Sequence, residues 1–466
     1  MWFCEEGRAL DAGTVASLMA RLVDEARSRI SPTIRRALLL PPDITRLHSG
    51  AGELTNRLYH LLSPGAEVDV IPTLGQHVPH TPEENRLMFG DIPAERIHRH
   101  DWTAPGRRLG EVGADYVSCA SDGRADWPIP IEINGAPVGG RYDLVVNVGQ
   151  VVPHEVLGMA NHNKNYFIGL GTRPTISASH MAAARYGIEN NLGQLVTPLR
   201  ACYNRAEREF LGDVPDVYVL IARTREESGR LATSGVFVGD DIETYLAAAR
   251  YAQRRTITLL DEPLAKVVAF MDAREFRSTW VANKAVYRAR MAMADGGELL
   301  VIAPGVERFG EQKEVDDLIR EHGYAGTDRI MDRYARSPRL REYAHAAAHL
   351  IHGSTEGRFS ITYAPGGLTK AEVESVGYGH MDCREATTKY DPARLREGLN
   401  TIDGEDVFFI GSPSLGLWAA RGRYAKALTN CRGMAGRMAA REPGETIWPH
   451  LARRIEEDLA RLSGGQ

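Results

Sequence analysis

The chain has 466 residues, 43% hydrophobic and 25% charged, a balance that fits two or three globular domains, each large enough to bury a core. Its formal charge is −5, with Lys and Arg spread along the chain, which argues against a nucleic-acid or anionic-membrane footprint. Residues 1–6 lack the basic-then-apolar pattern of a signal, no run of about eighteen apolar residues occurs, and the five cysteines are scattered, so a cytoplasmic protein without a membrane span is expected.

Short apolar runs alternate with amphipathic stretches, the pattern of an α/β fold with mixed or parallel sheets flanked by helices. In chain order the spacing predicts a helix over Thr14–Arg29, a strand over Ala37–Leu40, a helix over Glu53–Leu62 and a strand over Val68–Pro72. Leu54, Leu58, Leu61 and Leu62 share one face of the second helix, which should pack on a sheet. His98–Trp102 reads as a strand and its exit turn. Strands at Asp143–Val148 and Val217–Ala222 and a helix at Ile242–Ala252 follow. Beyond Asp261-Glu262-Pro263 the pattern gives strand Val267–Met271, helix Thr279–Ala294 stopped at Asp295-Gly296-Gly297, and strand Leu299–Ala303. Helices Glu314–Glu321 and Pro338–Ile351, strand Val407–Gly411 and helix Pro449–Leu462 complete it. The expected division is an N-terminal domain at 1–265, which 430–466 could complete, and a C-terminal α/β domain at 266–429.

Four segments carry chemistry. After the Ala37–Leu40 strand, Asp43-Ile44-Thr45-Arg46 precedes Ser49-Gly50-Ala51-Gly52 at a helix start. Free backbone N–H groups there can hold an anion, and Arg46 can pair with a carboxylate; the plainer reading is a turn with a solvated arginine. His77, in Gly75-Gln76-His77, follows a strand, where α/β sheets place their sites. Thr81 and Glu84 form a capping box just beyond it. His154, Lys164 and His180 crowd one stretch, with Asn161-His162-Asn163 beside the lysine. Histidine and lysine are the usual side chains for proton transfer, metal ligation and covalent attachment.

Taken in order, these residues resemble the lactate racemase family. Its pattern has Asp-x-Thr-Arg, then Gly-x-His followed by Thr and Glu, then a His ten residues before a Lys and another His sixteen residues after it. Asp43, Thr45, Arg46, His77, Thr81, Glu84, His154, Lys164 and His180 match, and Lys284 matches in the second half. The resemblance implies a racemase or epimerase that inverts C2 of a 2-hydroxy acid by proton-coupled hydride transfer, with its active site in an interdomain cleft. It implies a nickel-pincer nucleotide, a pyridinium thioamide/thiocarboxylate mononucleotide with Ni(II), covalently attached at Lys164. His180 would ligate the nickel, and Asp43 and Thr45 would contact the cofactor. His77 and His154 would alternate as acid and base. Arg46, Lys284 and Trp280 would bind substrate. Cofactor-building enzymes are the implied partners. Two histidines suit the reaction because the hydroxyl points oppositely in the two enantiomers.

Three departures lie where substrate contacts are expected. The family's Gly-Gly-Arg before the lysine is Asn161-His162-Asn163, the Arg after the first catalytic His is Val78, and its Tyr-Gln is Trp280-Val281. The added polar groups point to a larger, hydroxylated acid such as a sugar acid. Other readings are a nicotinamide-dependent 2-hydroxy acid dehydrogenase, on Gly169-Leu170-Gly171, and an inactive nucleotide-binding module. His345, His349 and His352 share a helix face. They read as satisfied structural histidines in preference to a zinc site, because no glutamate follows the first.

Overall fold

Runs of Val, Leu and Ile that are buried on both sides build the centre of the molecule, as parallel sheets require. The computed structural model describes residues 1–226 and 229–463. One six-stranded sheet has the order Phe3–Glu6, Leu231–Gly239, Asp216–Arg225, Leu144–Gln150, Arg36–Leu40, Glu67–Val70. Its last four strands are parallel, and Leu231–Gly239 runs antiparallel to both its neighbours, Phe3–Glu6 and Asp216–Arg225. Every residue of Leu144–Gln150 is buried. Helices Ala12–Arg29 and Ala51–Leu62 cover one face, with Leu22, Val23, Leu54 and Leu58 against Leu39, Val146, Val219 and Val236. Leu61, expected on that face, is 39% exposed instead.

A second six-stranded sheet runs Gly379–His380, Ser360–Pro365, Met293–Ala303, Leu264–Phe270, Glu405–Ile410, Gly398–Ile402. Only its last pair is antiparallel. This is the α/β class with mixed sheets that the pattern indicated. The long helix Arg421–Arg441 packs against Ala114–Ser121, Ile188–Asn191 and the final helix Ile447–Ser463. No helix among the described residues is long and apolar enough to cross a membrane.

Several local expectations fail for identifiable reasons. Thr279–Ala294 is two short helices, Thr279–Ala282 and Lys284–Ala289, and the chain then enters the strand Met293–Ala303. Gly296, read as a helix stop, therefore lies within that strand at φ +80°, and its N–H donates to the Arg358 carbonyl. Pro338–Ile351 breaks at Tyr343 into Pro338–Glu342 and Ala344–His352. His98–Trp102 is not a strand. Ile97 makes a single bridge to Val70, and His98 and His100 bond to Asp69 and the Gly171 carbonyl.

Candidate active site

The end of the Arg36–Leu40 strand delivers the first site residues. Pro42 bridges to Thr73, and Asp43 caps a 3-10 helix, Ile44–Ser49. Asp43 Oδ1 accepts from Thr45 N at 2.8 Å and Thr45 Oγ1 at 2.6 Å, and Oδ2 meets His77 Nδ1 at 2.5 Å. Burial opposes the Asp43 charge, but His77, Thr45 and Arg46 outweigh it and hold the carboxyl far below its ordinary range. The imidazole must therefore supply the shared proton. His77 is held with Nδ1–H toward Asp43, leaving the Nε2 lone pair for another group.

The glycines after Arg46 have a different task from the one their pattern suggested. A Cβ at Gly52 would collide with the Met88 backbone, and the Ala51 N–H is taken by Ser49 Oγ at 3.1 Å. Gly52 serves helix packing, and Gly50, at φ +75°, makes the left-handed turn between the two helices. Arg46 is nonetheless not a solvated arginine, because its Nη1 is buried with no partner among the described residues.

His154 presents the opposite tautomer. Its Nδ1 accepts from Val156 N at 3.2 Å and Leu157 N at 3.4 Å, which leaves the proton on Nε2. Burial, with Lys164, Arg46 and Arg288 nearby, keeps the ring neutral against the opposing pull of Glu155. On the helix Arg173–Tyr186, His180 Nδ1 donates to the Ile176 carbonyl at 2.8 Å. Its Nε2 is free to bind a metal, and fixing the far nitrogen to a carbonyl is how proteins orient such a ligand.

Lys164 stands just before a π-helical turn, Asn165–Gly169, a rare element common at functional sites. Burial and Arg46 push its amine down to about 8. Ahead of it, Asn161 and His162 have φ of +67° and +62°. These left-handed positions, which glycine would adopt most readily, are held here by residue types that tolerate them better than most. Only Asn161 of the three polar residues lines the cavity. His162 stacks on Tyr218 at 4.0 Å, and Asn163 bonds to Arg200, Asn204 and Glu207. Those two are internal supports of the loop and not substrate contacts. Asn161→Val should destabilise by about 1–3 kcal/mol relative to Asn161→Gly, since both lose the bond to the Gln150 carbonyl and only Val strains the backbone. Thermal unfolding of the pair measures the difference.

One cavity, about 1160 Å³ counting its mouth, collects these groups. Asp43, Arg46, His77, His154, Lys164 and His180 line it from the first half, and Trp280 and Lys284 from the second. Thr45 does not line it and acts on it through Asp43. Lys284 is pushed down to about 7 by burial and Arg46. Sequence reasoning missed Glu155, Gln150 and Tyr287, and it placed His345, His349 and His352 outside the site although all three line the cavity. Their shared helix face was legible, but not what it faced. No group of three or more His, Cys, Asp or Glu among the described residues is arranged to hold a metal ion, and His349 uses both ring nitrogens on Tyr287 and Tyr324. Gly169 and Gly171 are small because a Cβ on either would strike Thr73 or Phe167. They do not open a strand-to-helix phosphate turn.

A family model described as the lactate racemase N-terminal domain matches residues 16–190. A crystal structure of a protein from Thermotoga maritima superposes with a TM-score of 0.75 at 22% identity, covering 89% of this chain and all of that one. The lactate racemase apoprotein from Thermoanaerobacterium thermosaccharolyticum gives 0.64 at 13% identity, covering 89% and 94%. At such identities these likenesses speak for the fold. No curated protein matches the sequence.

Proposed function

On the match of residues 16–190 to the lactate racemase N-terminal domain, we propose that this chain is an isomerase of that family, inverting C2 of a 2-hydroxy carboxylic acid, lactate-like or larger. The observation that carries this reading is the convergence, in one cavity, of eight residues drawn from segments up to 241 positions apart, from Asp43 to Lys284. The cavity is read as the cleft between a domain at 1–265, completed by 430–466, and one at 266–429. The packing of Arg421–Arg441 on Ala114–Ser121 supports that division.

The side chains fit a nickel-pincer nucleotide. Lys164 offers an amine with a substantial neutral fraction near pH 8 for covalent attachment. His180 offers one imidazole nitrogen, a donor that suits nickel. Asp43 and Thr45 hold the loop beside it. When bound, this cofactor supplies the acceptor for the C2 hydride.

The chain's own residues do the rest. Arg46 binds the substrate carboxylate through its unpaired guanidinium edge. Lys284 adds a donor whose charge is adjustable near neutrality. His77 Nε2 takes the hydroxyl proton, and the ionised Asp43 stabilises the resulting imidazolium. The proton returns from the His77 imidazolium to the substrate oxygen when the hydride goes back, and the neutral His154 Nε2–H holds that oxygen on the other face by a hydrogen bond. Closure of the two halves excludes water.

Peptide mass spectrometry across Lys164, with nickel analysis, tests this on protein made beside cofactor-building enzymes in the cytoplasm. A nucleotide-sized adduct and bound nickel are expected, both lost in Lys164→Arg. Deuterium at C2 should stay largely in the inverted product. Unmodified Lys164, or complete washout of the label, overturns the reading in favour of a dehydrogenase or a binding module.

A further inference from the structure

The helix Ala344–His352 supplies a wall of the cavity that the reaction as described does not use. His345, Ala348, His349 and His352 all line it, at the spacing of one helix face. His349 is fully committed: Nδ1 lies 2.8 Å from the Tyr287 hydroxyl and Nε2 2.9 Å from that of Tyr324. Its ring also lies against Trp280, with centroids 4.2 Å apart. The other two are not committed. His345 reaches Ser177 Oγ at 3.3 Å through Nδ1 and is flanked edge-on by Trp102 and Trp280. Its Nε2, and that of His352, are buried without a partner among the described residues. These side chains are 1% and 3% exposed.

Two orphaned imidazole nitrogens in a cavity wall are unfavourable unless a ligand or water satisfies them. A lactate methyl group cannot do so. Burial keeps both rings neutral, so each presents a donor or a lone pair without charge. A hydroxyl, which both donates and accepts, matches that better than a second carboxylate, which would look for a cation. The cavity already has cations in Arg46 and Lys284 for the carboxylate that every 2-hydroxy acid carries.

We infer that His345 and His352 form a specificity subsite for a hydroxylated chain, so that this enzyme takes a polyhydroxy 2-hydroxy acid of the sugar-acid class in preference to lactate. The inference rests on the racemase reading of the cavity. His349, clamped by two tyrosines, positions the helix face that carries the two binding imidazoles. Trp280 offers an apolar surface to the C–H groups of the chain between them.

The test uses the loaded enzyme with D-gluconate and lactate as probes, reading both calorimetric affinity and the rate of C2 inversion. Sites built to hydrogen-bond a hydroxyl reject analogues lacking it by orders of magnitude, so gluconate should be preferred by about 100-fold or more. His345→Phe and His352→Phe should each lower that preference by about tenfold, and His352→Gln, which keeps a hydrogen-bonding group, should restore part of it. Nickel content and the Lys164 adduct should not change. Equal affinity for the two acids in the wild type overturns the subsite, whether or not the variants fold. So does an unchanged preference in folded variants, or a loss of nickel, which would place the imidazoles on the cofactor. Selective gluconate binding without C2 inversion would leave the subsite standing and remove the racemase reading.

Discussion

Asp43→Asn is expected to lower turnover of the loaded enzyme by about 10²–10⁴-fold while leaving the fold in place, by analogy with the carboxylate of a catalytic triad. Asp43 is buried and makes three hydrogen bonds, two to Thr45 and one to His77. The asparagine carbonyl can still serve Thr45. Its amide then faces His77 Nδ1 and donates, so the imidazole must carry its proton on Nε2 instead. The lone pair that takes the substrate proton disappears, and no ionised group remains to stabilise an imidazolium. The loss should fall on kcat more than on KM, because Arg46 and Lys284 still bind the carboxylate. Nitrogen NMR of labelled histidines gives a readout independent of activity. His77 should switch from Nδ1–H in the wild type to Nε2–H in the variant. Turnover within threefold of wild type would refute the assignment of His77 as the oriented base.

The second large effect is on stability. Acid should unfold this protein over about pH 6 to 4, a window set by buried histidines. Burial pushes His345, His349 and His352 down to about 3, and it pushes His162 down to about 4 against the opposing charge of Glu207. An unfolded histidine takes a proton near its ordinary value of about 6.5. Between these values the unfolded chain binds more protons than the folded one, so stability is complete above about pH 6.5 and falls as pH drops. At pH 5 each such residue accounts for about 2 kcal/mol, and four together for about 8, against a usual net stability of about 5–15. Asp216 works the other way. Burial and Glu207 push its carboxyl up to about 8. The proton it keeps in the folded state is stabilising at lower pH and offsets part of the loss. Thermal unfolding at pH 7 and pH 5 should therefore differ by many degrees, and His352→Phe should flatten the difference by about 2 kcal/mol. A melting temperature independent of pH over this range would show that the histidines are not held neutral by the fold.

How much of this site could be read beforehand depends on the range of the interactions involved. Asp43, Thr45 and Arg46 follow a buried strand within a few residues, and His77 follows another. Local order and spacing suffice for such residues, since a strand end in a parallel sheet is where side chains converge. His154 follows the buried strand Leu144–Gln150 in the same way, whereas Lys164, before a π-helical turn, and His180, on a helix, were legible by their spacing from it. The loop ahead of Lys164 shows the limit. Asn161 and His162 look like exposed polar additions in one dimension, yet the backbone turns left-handed at both, and His162 ends against Tyr218. Nothing in Asn161-His162-Asn163 itself reveals that Arg200, Asn204 and Glu207 wait on a later helix.

The sequence by itself determined the α/β class, the core strands and the identity of the groups able to attach, ligate and move protons, because hydrophobic period and residue chemistry are local properties. Only the tertiary structure decided that the helix of His345, His349 and His352 faces the same cavity. The same holds for Glu155 beside Lys284, and for the opposite tautomers of His77 and His154. Those outcomes depend on which distant segment each side chain meets, and helical periodicity states which residues share a face without stating what that face will touch.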